Sequence, residues 1–412
     1  MDRAEPDRAR GARAAALAGA TGWWVTAACG LLLHPGPASA GDDYYADRTV
    51  WDRFGGGHLN ISSFAFRDID RDGVYDMADQ PMAGVMFEVA GGGRTIKRRT
   101  NKSGFGNFAM SVLDRDKDIV NRGEYVFRAV VPPGWVLTTD NATQTTFFEL
   151  MPGAPADLVS STPMQPVGLA QELSISGTVA VPGRPFLPVD TTGEIAVRAL
   201  QRAGEHQEAA LDRTGSFSFA AAPGSWTVRA EDGEGEVVSE RRIDLARAPV
   251  VLSTLRPGEV RREAGAPASV ITFDDLVRAG IKEVPSGYRG LDWRNWVVTH
   301  NKFYDGEGYV NTTMSGEFVA YNSSGHPVSI RRERPFDFIG GFFGSAWLRA
   351  EGETLQIEGW RGPALVYQET IELSAMGPVH FAANFRDITR LEFRTQRYWQ
   401  FVCDDLEFSL PD

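Results

Sequence analysis

The sequence predicts an all-β protein with three tandem β-sandwich domains, two of them immunoglobulin-like or transthyretin-like and the third a jelly roll. Three observations lead to this prediction. Apolar and polar residues alternate along most of the chain, turn signals recur about every ten residues, and no long apolar stripe has helical spacing. The 44 glycines and 23 prolines supply the turns that many short strands require.

The beginning of the chain predicts an export signal. Four arginines are followed by an apolar stretch of small residues over 14–33 and by Ala38-Ser39-Ala40, a sequence typical of a signal-peptidase site. We therefore expect residues 1–40 to be removed as a signal peptide and residues 41–58 to form a flexible N-terminal segment. The expected location is extracellular or at the cell surface, after transit through the periplasm.

The charge, the cysteine count and the absence of known catalytic motifs disfavour several classes of function. The net charge of −12 disfavours nucleic acid and anionic membranes as partners. Of the two cysteines, Cys29 lies in the predicted signal, so Cys403 has no partner for an internal disulfide. No Gly-x-Ser-x-Gly, His-Glu-x-x-His, Walker or dinucleotide-binding motif occurs, so we expect a protein that is not an enzyme and has no catalytic residues.

Composition shifts predict where the domains begin and end. Stretches rich in Pro, Gly, Ser and Thr interrupt the strand pattern twice and are interpreted as linkers. The predicted order is a first sandwich over 59–150, a linker over 151–171, a second sandwich over 172–254, a linker over 255–269 and a third domain over 270–412.

A carboxylate-rich loop between Asp68 and Asp79 has the spacing of a calcium site. Oxygen ligands at loop positions 1, 3, 5, 7, 9 and 12, with Gly at position 6, suit a hard cation. The predicted Ca²⁺ ligands are Asp68, Asp70, Asp72, Val74 through its carbonyl, Asp76 and Asp79. Asp79 is one methylene shorter than the usual Glu, which predicts weaker binding. The flanking residues have strand patterns, so the loop is expected to stabilise a β-domain rather than to open helices; a solvated acidic turn is the alternative.

The residues around this loop resemble a known family. Phe66-x-Asp68-x-Asp70-x-Asp72-Gly73, Gly84-Val85, Gly123-Glu124-Tyr125 and Pro133-Gly134-Trp135 resemble the B-type domain of serine-aspartate-repeat bacterial surface proteins over residues 60–150. The resemblance implies an immunoglobulin-like sandwich that becomes rigid with calcium and acts as a spacer.

The middle module has a less specific pattern. A Gly215-Ser216-Phe217-Ser218-Phe219 strand is followed by Pro223-Gly224 and by an aromatic strand containing Trp226. This looks like a carboxypeptidase-regulatory or transthyretin-like sandwich over residues 172–255. The resemblance implies no ligand residues, and we interpret the module as a second spacer.

Two pairs of adjacent aspartates lie near the ends of the terminal module. Asp274 and Asp275 follow its first strand, and Asp404 and Asp405 lie in its last strand. Adjacent strand residues point to opposite faces, so one aspartate of each pair is expected to face inward unless a bulge intervenes. Because the ends of a jelly roll lie close together, the four carboxylates could share one structural calcium. The alternative is hydrogen-bonded residues at strand ends.

The terminal module holds most of the aromatic residues, among them Trp293 and Trp296 in one stretch and Tyr304 and Tyr309 in the next. This pattern is similar to lectin-like or carbohydrate-binding jelly rolls. Sugar binding requires flat aromatic faces with polar side chains nearby for the hydroxyl groups. The candidate ligand-binding residues are Trp293, Trp296, Tyr304, Tyr309, Asp292, Asn295 and Asn301. The alternative for each aromatic residue is core packing.

Together these observations predict an exported binding or adhesion protein. Calcium-stiffened spacers would present a carbohydrate-binding jelly roll to an extracellular glycan, or to a matrix or surface protein, with self-association possible. A structural protein of a surface layer or biofilm matrix is the first alternative, and a secreted hydrolase acting on glycans or peptides is the second.

Overall fold

The computed structural model of the chain describes residues 50–52, 58–180, 195–204, 206–256 and 267–411. The predicted export signal lies outside these residues. Within them the all-β prediction is confirmed: 28 strands are accompanied by a single α-helix of five residues, α1 (Glu307–Asn311). None of the helices in the described ranges is long and apolar enough to cross a bilayer.

The first sandwich is built from eleven strands in two sheets. Strands β1, β2, β3, β6, β8 and β11 form one sheet, and the other has the order β10-β9-β7-β4-β5. The strands are β1 (Val50–Asp52), β2 (His58–Arg67), β3 (Gln80–Pro81), β4 (Met86–Gly91), β5 (Arg94–Arg99), β6 (Phe105–Met110), β7 (Gly123–Val130), β8 (Trp135–Leu137), β9 (Thr143–Met151), β10 (Ala154–Ser160) and β11 (Val167–Gln171).

The core of this sandwich follows from the predicted alternation. In β7, Tyr125, Phe127 and Ala129 point inward and are buried, while the residues between them are more accessible. The inward residues pack against Phe108 and Phe148 from β6 and β9. A two-residue period therefore places one face of each strand in the core.

Two of the predicted boundaries in this region are wrong. Residues 151–171 are not a linker, because β10 pairs with β9 and β11 pairs in parallel with β2. Val167 and Leu169 are fully buried, so β11 helps to close the core. The predicted flexible segment 41–58 also contains a strand, since β1 pairs with the beginning of β2. The Pro/Ser/Thr-rich composition marks turns within the sandwich.

The middle sandwich contains seven strands. One sheet has the order β14-β13-β16-β17, and the other contains β15, β12 and β18. The strands are β12 (Ser174–Thr178), β13 (Ile195–Gln201), β14 (His206–Ala209), β15 (Ser216–Ala220), β16 (Gly224–Asp232), β17 (Val237–Leu245) and β18 (Val250–Leu252). Trp226 is fully buried at the centre of its core.

The terminal sandwich contains the remaining strands. Its core is aromatic and is built on the long strands β24 and β27, which pair along most of their length. The strands are β19 (Ala268–Ile271), β20 (Ile281–Glu283), β21 (Asp292–Arg294), β22 (Trp296–His300), β23 (Phe318–Asn322), β24 (Val328–Ser345), β25 (Glu353–Arg361), β26 (Ala364–Leu373), β27 (Val379–Thr395) and β28 (Phe401–Ser409).

The middle and terminal sandwiches are not separated by a linker, although the sequence predicted tandem domains with linkers between them. Strand β18 of the middle sandwich pairs in parallel with β27, so that Val250, Val251 and Leu252 lie opposite residues 380–382. One sheet therefore runs through both sandwiches. Leu255, placed in the predicted 255–269 linker, is buried and bridges to Val179; residues 257–266 of that linker lie outside the described residues.

The first and terminal sandwiches also contact each other through buried groups. Asn311 donates from Nδ2 to the carbonyls of Ala83 (3.0 Å) and Ala375 (2.9 Å), and its Oδ1 accepts from the Ala83 amide (3.0 Å). The described chain from Val50 onward accordingly belongs to one compact unit. A periodic sequence pattern cannot reveal such contacts, because it reports which face is buried and not what covers that face.

Candidate functional site

The carboxylate loop connects two paired strands, as the sequence predicted. It begins where β2 ends and finishes where β3 begins, and Arg67 and Gln80 lie opposite each other across that pair. Gly73 adopts a left-handed conformation with φ 79°, which allows the sharp turn in the middle of the loop. No helix adjoins the loop on either side. The strand pair therefore fixes both ends of the acidic segment.

Backbone amides hold the first and last aspartates of the loop inward. Asp68 is buried and accepts from the amides of Arg71 (2.6 Å) and Gly73 (2.8 Å). Asp79 is also buried and accepts from the amides of Ile69 (2.9 Å) and Asp76 (3.2 Å). Each carboxylate oxygen carries two lone pairs, so these bonds leave acceptor capacity for a cation.

Five carboxylates of the loop converge. Ligand oxygens of Asp68, Asp70 and Asp79 lie within 4.8 Å of one another, and the same is true of Asp70, Asp72 and Asp76. Burial, together with the negative charges of Asp68 and Asp70, raises the pKa of Asp79 to about 6. A hard divalent cation would relieve this repulsion, and an all-oxygen donor set suits Ca²⁺. The donor set thus fits the predicted ion, and Val74 lies within the same turn.

The predicted second calcium site is wrong. Among the described residues, the groups of carboxylates close enough to share an ion all lie in the Asp68–Asp79 loop. Asp274 accepts from the amides of residues 317 and 318, and Asp275 binds the Tyr288 hydroxyl and the Arg289 guanidinium. The four carboxylates therefore act as hydrogen-bond acceptors, and Asp274 and Asp404 bind neighbouring amides of the same segment, residues 314–318.

A bulge intervenes at the pair in the last strand, where the pairing of β28 with β24 is irregular between Asp404 and Glu407. Asp405 has a φ of 49°, and Asp404 is fully buried, accepting from the amides of Met314 (2.7 Å), Ser315 (3.1 Å) and Asp405 (2.8 Å). Burial, together with the charge of Asp405, raises the pKa of Asp404 well above its usual range. The Asp405 carboxylate accepts from the Ser315 hydroxyl. Both aspartates thus serve as hydrogen-bond acceptors for one loop.

The predicted sugar-stacking aromatics are mostly core residues. Trp293, Trp296 and Tyr309 are buried and present no face to solvent. Trp296 packs edge-on against Trp293 and Phe393, and its Nε1 donates to the carbonyl of Ser329. Core packing was the alternative for each residue, and it is the one observed.

The other four predicted ligand residues do not form a site. Tyr304 is half-buried, with its hydroxyl 3.1 Å from that of Tyr321. Asn301 is buried and donates to Thr313, whereas Asn295 turns with φ 64° and donates to backbone carbonyls. Asp292 is exposed and accepts from Ser286. These contacts hold turns of the terminal sandwich in place.

A different concave surface lies on the outer face of the terminal sandwich. It is a cavity of about 610 Å³ lined by polar side chains from three neighbouring strands and by one aromatic ring. We call it the outer-face groove, and its lining residues are Pro327, Thr354, Gln356, Thr370, Arg394, Thr395, Gln396 and Tyr398. Gln356 lies opposite Thr370 on one side and opposite Arg394 on the other, so the three share one face.

The polar groups in the outer-face groove are held in place by one another. Arg394 donates from Nε to Gln356 Oε1 (2.7 Å), and Gln356 donates from Nε2 to Glu358 (2.8 Å). Gln368 also donates to Glu358 (3.2 Å). These planar side chains are thereby ordered before any ligand arrives, which reduces the entropic cost of binding.

Tyr398 is the exposed aromatic residue of the groove. The residue is 67% exposed, and its φ of 59° is a conformation that non-glycine residues seldom adopt. A Cβ at Gly325 would overlap the Tyr398 carbonyl oxygen, so that glycine permits the close approach that shapes this loop. Strained residues of this kind concentrate at binding sites. The sequence alone offered no signal for Tyr398, since it lies in an unremarkable turn.

Comparisons with known proteins match only part of the chain or match weakly. A family model described as a protein of unknown function (DUF1416) matches residues 156–251, mainly the middle sandwich. No curated protein matches the chain in sequence.

Several solved structures resemble the chain. A DUF3823 family protein from Bacteroides ovatus is 9% identical and has a TM-score of 0.17, with 57% of this chain and 96% of that chain covered. The major pilin subunit of Bacillus cereus is 9% identical, with a TM-score of 0.20 and coverages of 80% and 99%. A structure described as a carbohydrate-binding module of the β-sandwich superfamily is 8% identical, with a TM-score of 0.19 and coverages of 70% and 92%. Similarity at this level supports no inference about what the chain binds.

Proposed function

We propose that this chain is an exported protein that binds an extracellular glycan through the outer-face groove of its terminal sandwich. The observation that supports this proposal is the combination of an exposed aromatic ring, Tyr398, with ordered amide, hydroxyl and guanidinium groups along one concave face. The ring offers a flat face to the C–H groups of a sugar, and the polar groups offer hydrogen bonds to its hydroxyls. We place the protein at the cell surface or outside the cell.

Binding rather than catalysis is the proposed role of this groove. Glu358 is the carboxylate in the hydrogen-bond network at the groove, and it accepts bonds from Gln356 and Gln368 while Arg394 lies 3.5 Å away. A general acid or base needs a carboxyl group that can exchange its proton with a substrate. Held by three donors, Glu358 is suited to ordering its neighbours.

The Asp68–Asp79 loop has a stabilising role in this proposal. Ca²⁺ held by Asp68, Asp70, Asp72, Asp76 and Asp79, with the Val74 carbonyl, would fix the connection between β2 and β3. Strand β2 is central to its sheet, because it pairs with β1, β3, β6 and β11. The ion would therefore stiffen the first sandwich, which contacts the terminal sandwich.

A polysaccharide array probed with the full chain in the presence of Ca²⁺ tests the glycan proposal. We expect binding to at least one extracellular polysaccharide, and a loss of about tenfold or more in affinity for Tyr398→Ala, corresponding to about 1.4 kcal/mol. The matched control is Phe303→Ala, which removes another exposed aromatic ring of the same sandwich outside the groove. Phe303→Ala should bind like the unmodified chain. Absence of binding to every polysaccharide, or equal losses in both variants, would overturn the proposal.

A further inference from the structure

Arg349 lies between two tryptophan rings next to the loop that carries Tyr398. It belongs to a short 3-10 turn, Leu348–Ala350, between β24 and β25. Its guanidinium carbon is 5.0 Å from the ring centroid of Trp347 and 4.9 Å from that of Trp399. Trp347 donates from Nε1 to Gln400 (3.0 Å), which fixes one of the two rings. We call this arrangement the arginine clamp.

The guanidinium of the clamp has no polar partner within the described residues. Arg349 is exposed, and its contacts are the two ring stacks. The neighbouring carboxylates bond elsewhere: Glu351 accepts from the Ala375 amide (2.8 Å), and Glu307 accepts from the Leu348 amide (3.3 Å). Stacking uses the faces of a guanidinium and leaves the N–H groups at its edge free to donate.

A clamped guanidinium of this kind is suited to bind a carboxylate. Its N–H groups form a planar fork that matches the two oxygens of a carboxylate, and stacking has already restricted the side chain. The whole chain carries a net charge of −12, so long-range electrostatics would not attract an anionic ligand. Recognition of an anion on this surface therefore requires a local cation without an internal partner.

We infer that Arg349 binds a carboxylate group of the ligand, so that the glycan is an acidic polysaccharide containing uronic acid or a comparable carboxylated sugar. This inference rests on the proposed function, because Trp399 of the clamp directly follows Tyr398 of the outer-face groove. A chain stacked on Tyr398 would continue past the edge of the sandwich towards Arg349. Arg394 in the groove is already bonded to Gln356, whereas the guanidinium of Arg349 is held in place by ring stacking and keeps its N–H groups for a ligand.

The test uses acidic polysaccharides and their neutral counterparts of the same linkage. Alginate, polygalacturonate and hyaluronan are compared with carboxyl-reduced forms of each, beside neutral cellulose and xylan, using the full chain with Ca²⁺. The variants are Arg349→Gln, which removes the charge, Arg349→Lys, which keeps the charge but loses the planar fork, and Tyr398→Ala. Melting temperatures are measured in parallel, so that a folding defect is recognised.

We expect at least one acidic polymer to bind roughly tenfold or more tightly than its carboxyl-reduced form. Arg349→Gln should abolish this preference, Arg349→Lys should retain part of it, and Tyr398→Ala should weaken acidic and reduced forms alike. If neutral polymers bind through Tyr398 and carboxyl reduction has no effect, the inference is overturned while the proposed function stands. If no polymer binds, both are overturned. A preference for acidic forms that persists in Arg349→Gln also overturns the inference.

Discussion

The guanidinium of Arg67, the last residue of β2, donates to the carbonyl of Asn311 in the terminal sandwich at 2.9 Å. A second bond runs from the same nitrogen to the carbonyl of Thr313 at 3.2 Å. Burial lowers the pKa of Arg67 to about 10, with the charge of Arg247 contributing and that of Asp404 opposing the change. The residue that precedes the predicted calcium loop is thus also one of the residues that join the first sandwich to the terminal sandwich.

Replacing Arg67 by Met should destabilise the protein. The variant leaves the Asn311 and Thr313 carbonyls without their donor and removes a buried charge near Asp404, a change that typically costs about 3 kcal/mol. Urea unfolding measures the difference. Arg99→Met is the matched control, since Arg99 is exposed and donates a single bond to the Gly84 carbonyl. Equal unfolding free energies for the two variants would show that the buried contact contributes nothing.

Calcium should raise the melting temperature, and chelation should lower it. At a free Ca²⁺ concentration one hundred times the dissociation constant, binding to the folded state stabilises it by about 2.7 kcal/mol. Asp70→Asn should abolish this response, because Asp70 belongs to both groups of converging carboxylates and is exposed. Asp116→Asn, in another exposed acidic stretch, is the control and should respond to calcium like the unmodified chain. A melt of calcium-loaded protein that is unchanged by chelator would contradict the site.

Trp296→Ala should lower stability strongly. The ring is fully buried against Trp293, Phe393 and Phe401, and removing such a ring costs about 3–5 kcal/mol. Thermal unfolding measures the loss, and Tyr398→Ala is the comparison, with an expected change within about 0.5 kcal/mol for an exposed side chain. A Trp296→Ala variant that stays stable but binds glycan differently would contradict core packing and support the ligand-binding role predicted from the sequence.

Acidification should destabilise the junction between the middle and terminal sandwiches through His380. Its ring stacks on Phe342, and burial, with the charge of Arg247 adding to the effect, lowers its pKa to about 4. Between pH 6.5 and about 4 the unfolded chain binds a proton that the folded chain does not, so stability falls as the pH falls. The loss reaches up to about 3 kcal/mol below pH 4.

His380→Gln should remove this contribution, because glutamine does not titrate. The unfolding free energies of His380→Gln and of the unmodified chain, measured by urea from pH 7 to pH 4, should therefore converge or cross as the pH falls. Parallel pH profiles for the two proteins would contradict the predicted role of His380.

The sequence was informative where local chemistry decides the outcome. Alternation of apolar and polar residues predicted the strands, because each strand has two faces and one of them is buried. The spacing of Asp68, Asp70, Asp72, Asp76 and Asp79 around Gly73 predicted a loop in which the carboxylates converge, because a tight turn of twelve residues brings them together. The strand character of the flanking residues excluded a helical sensor for the same local reason.

The tertiary structure decided everything that depends on which surfaces meet. Burial of Trp293 and Trp296, the parallel pairing of β18 with β27 and the continuation of the first sandwich to Gln171 all depend on contacts between residues far apart in the chain. The type of an aromatic residue does not reveal whether it lies in a core or at a groove. The sequence therefore predicted ligand-binding roles for tryptophans that are buried and none for Tyr398. Packing alone leaves Tyr398 exposed and holds Arg349 between two rings, and the proposed binding surface exists only because the fold brings those two loops together.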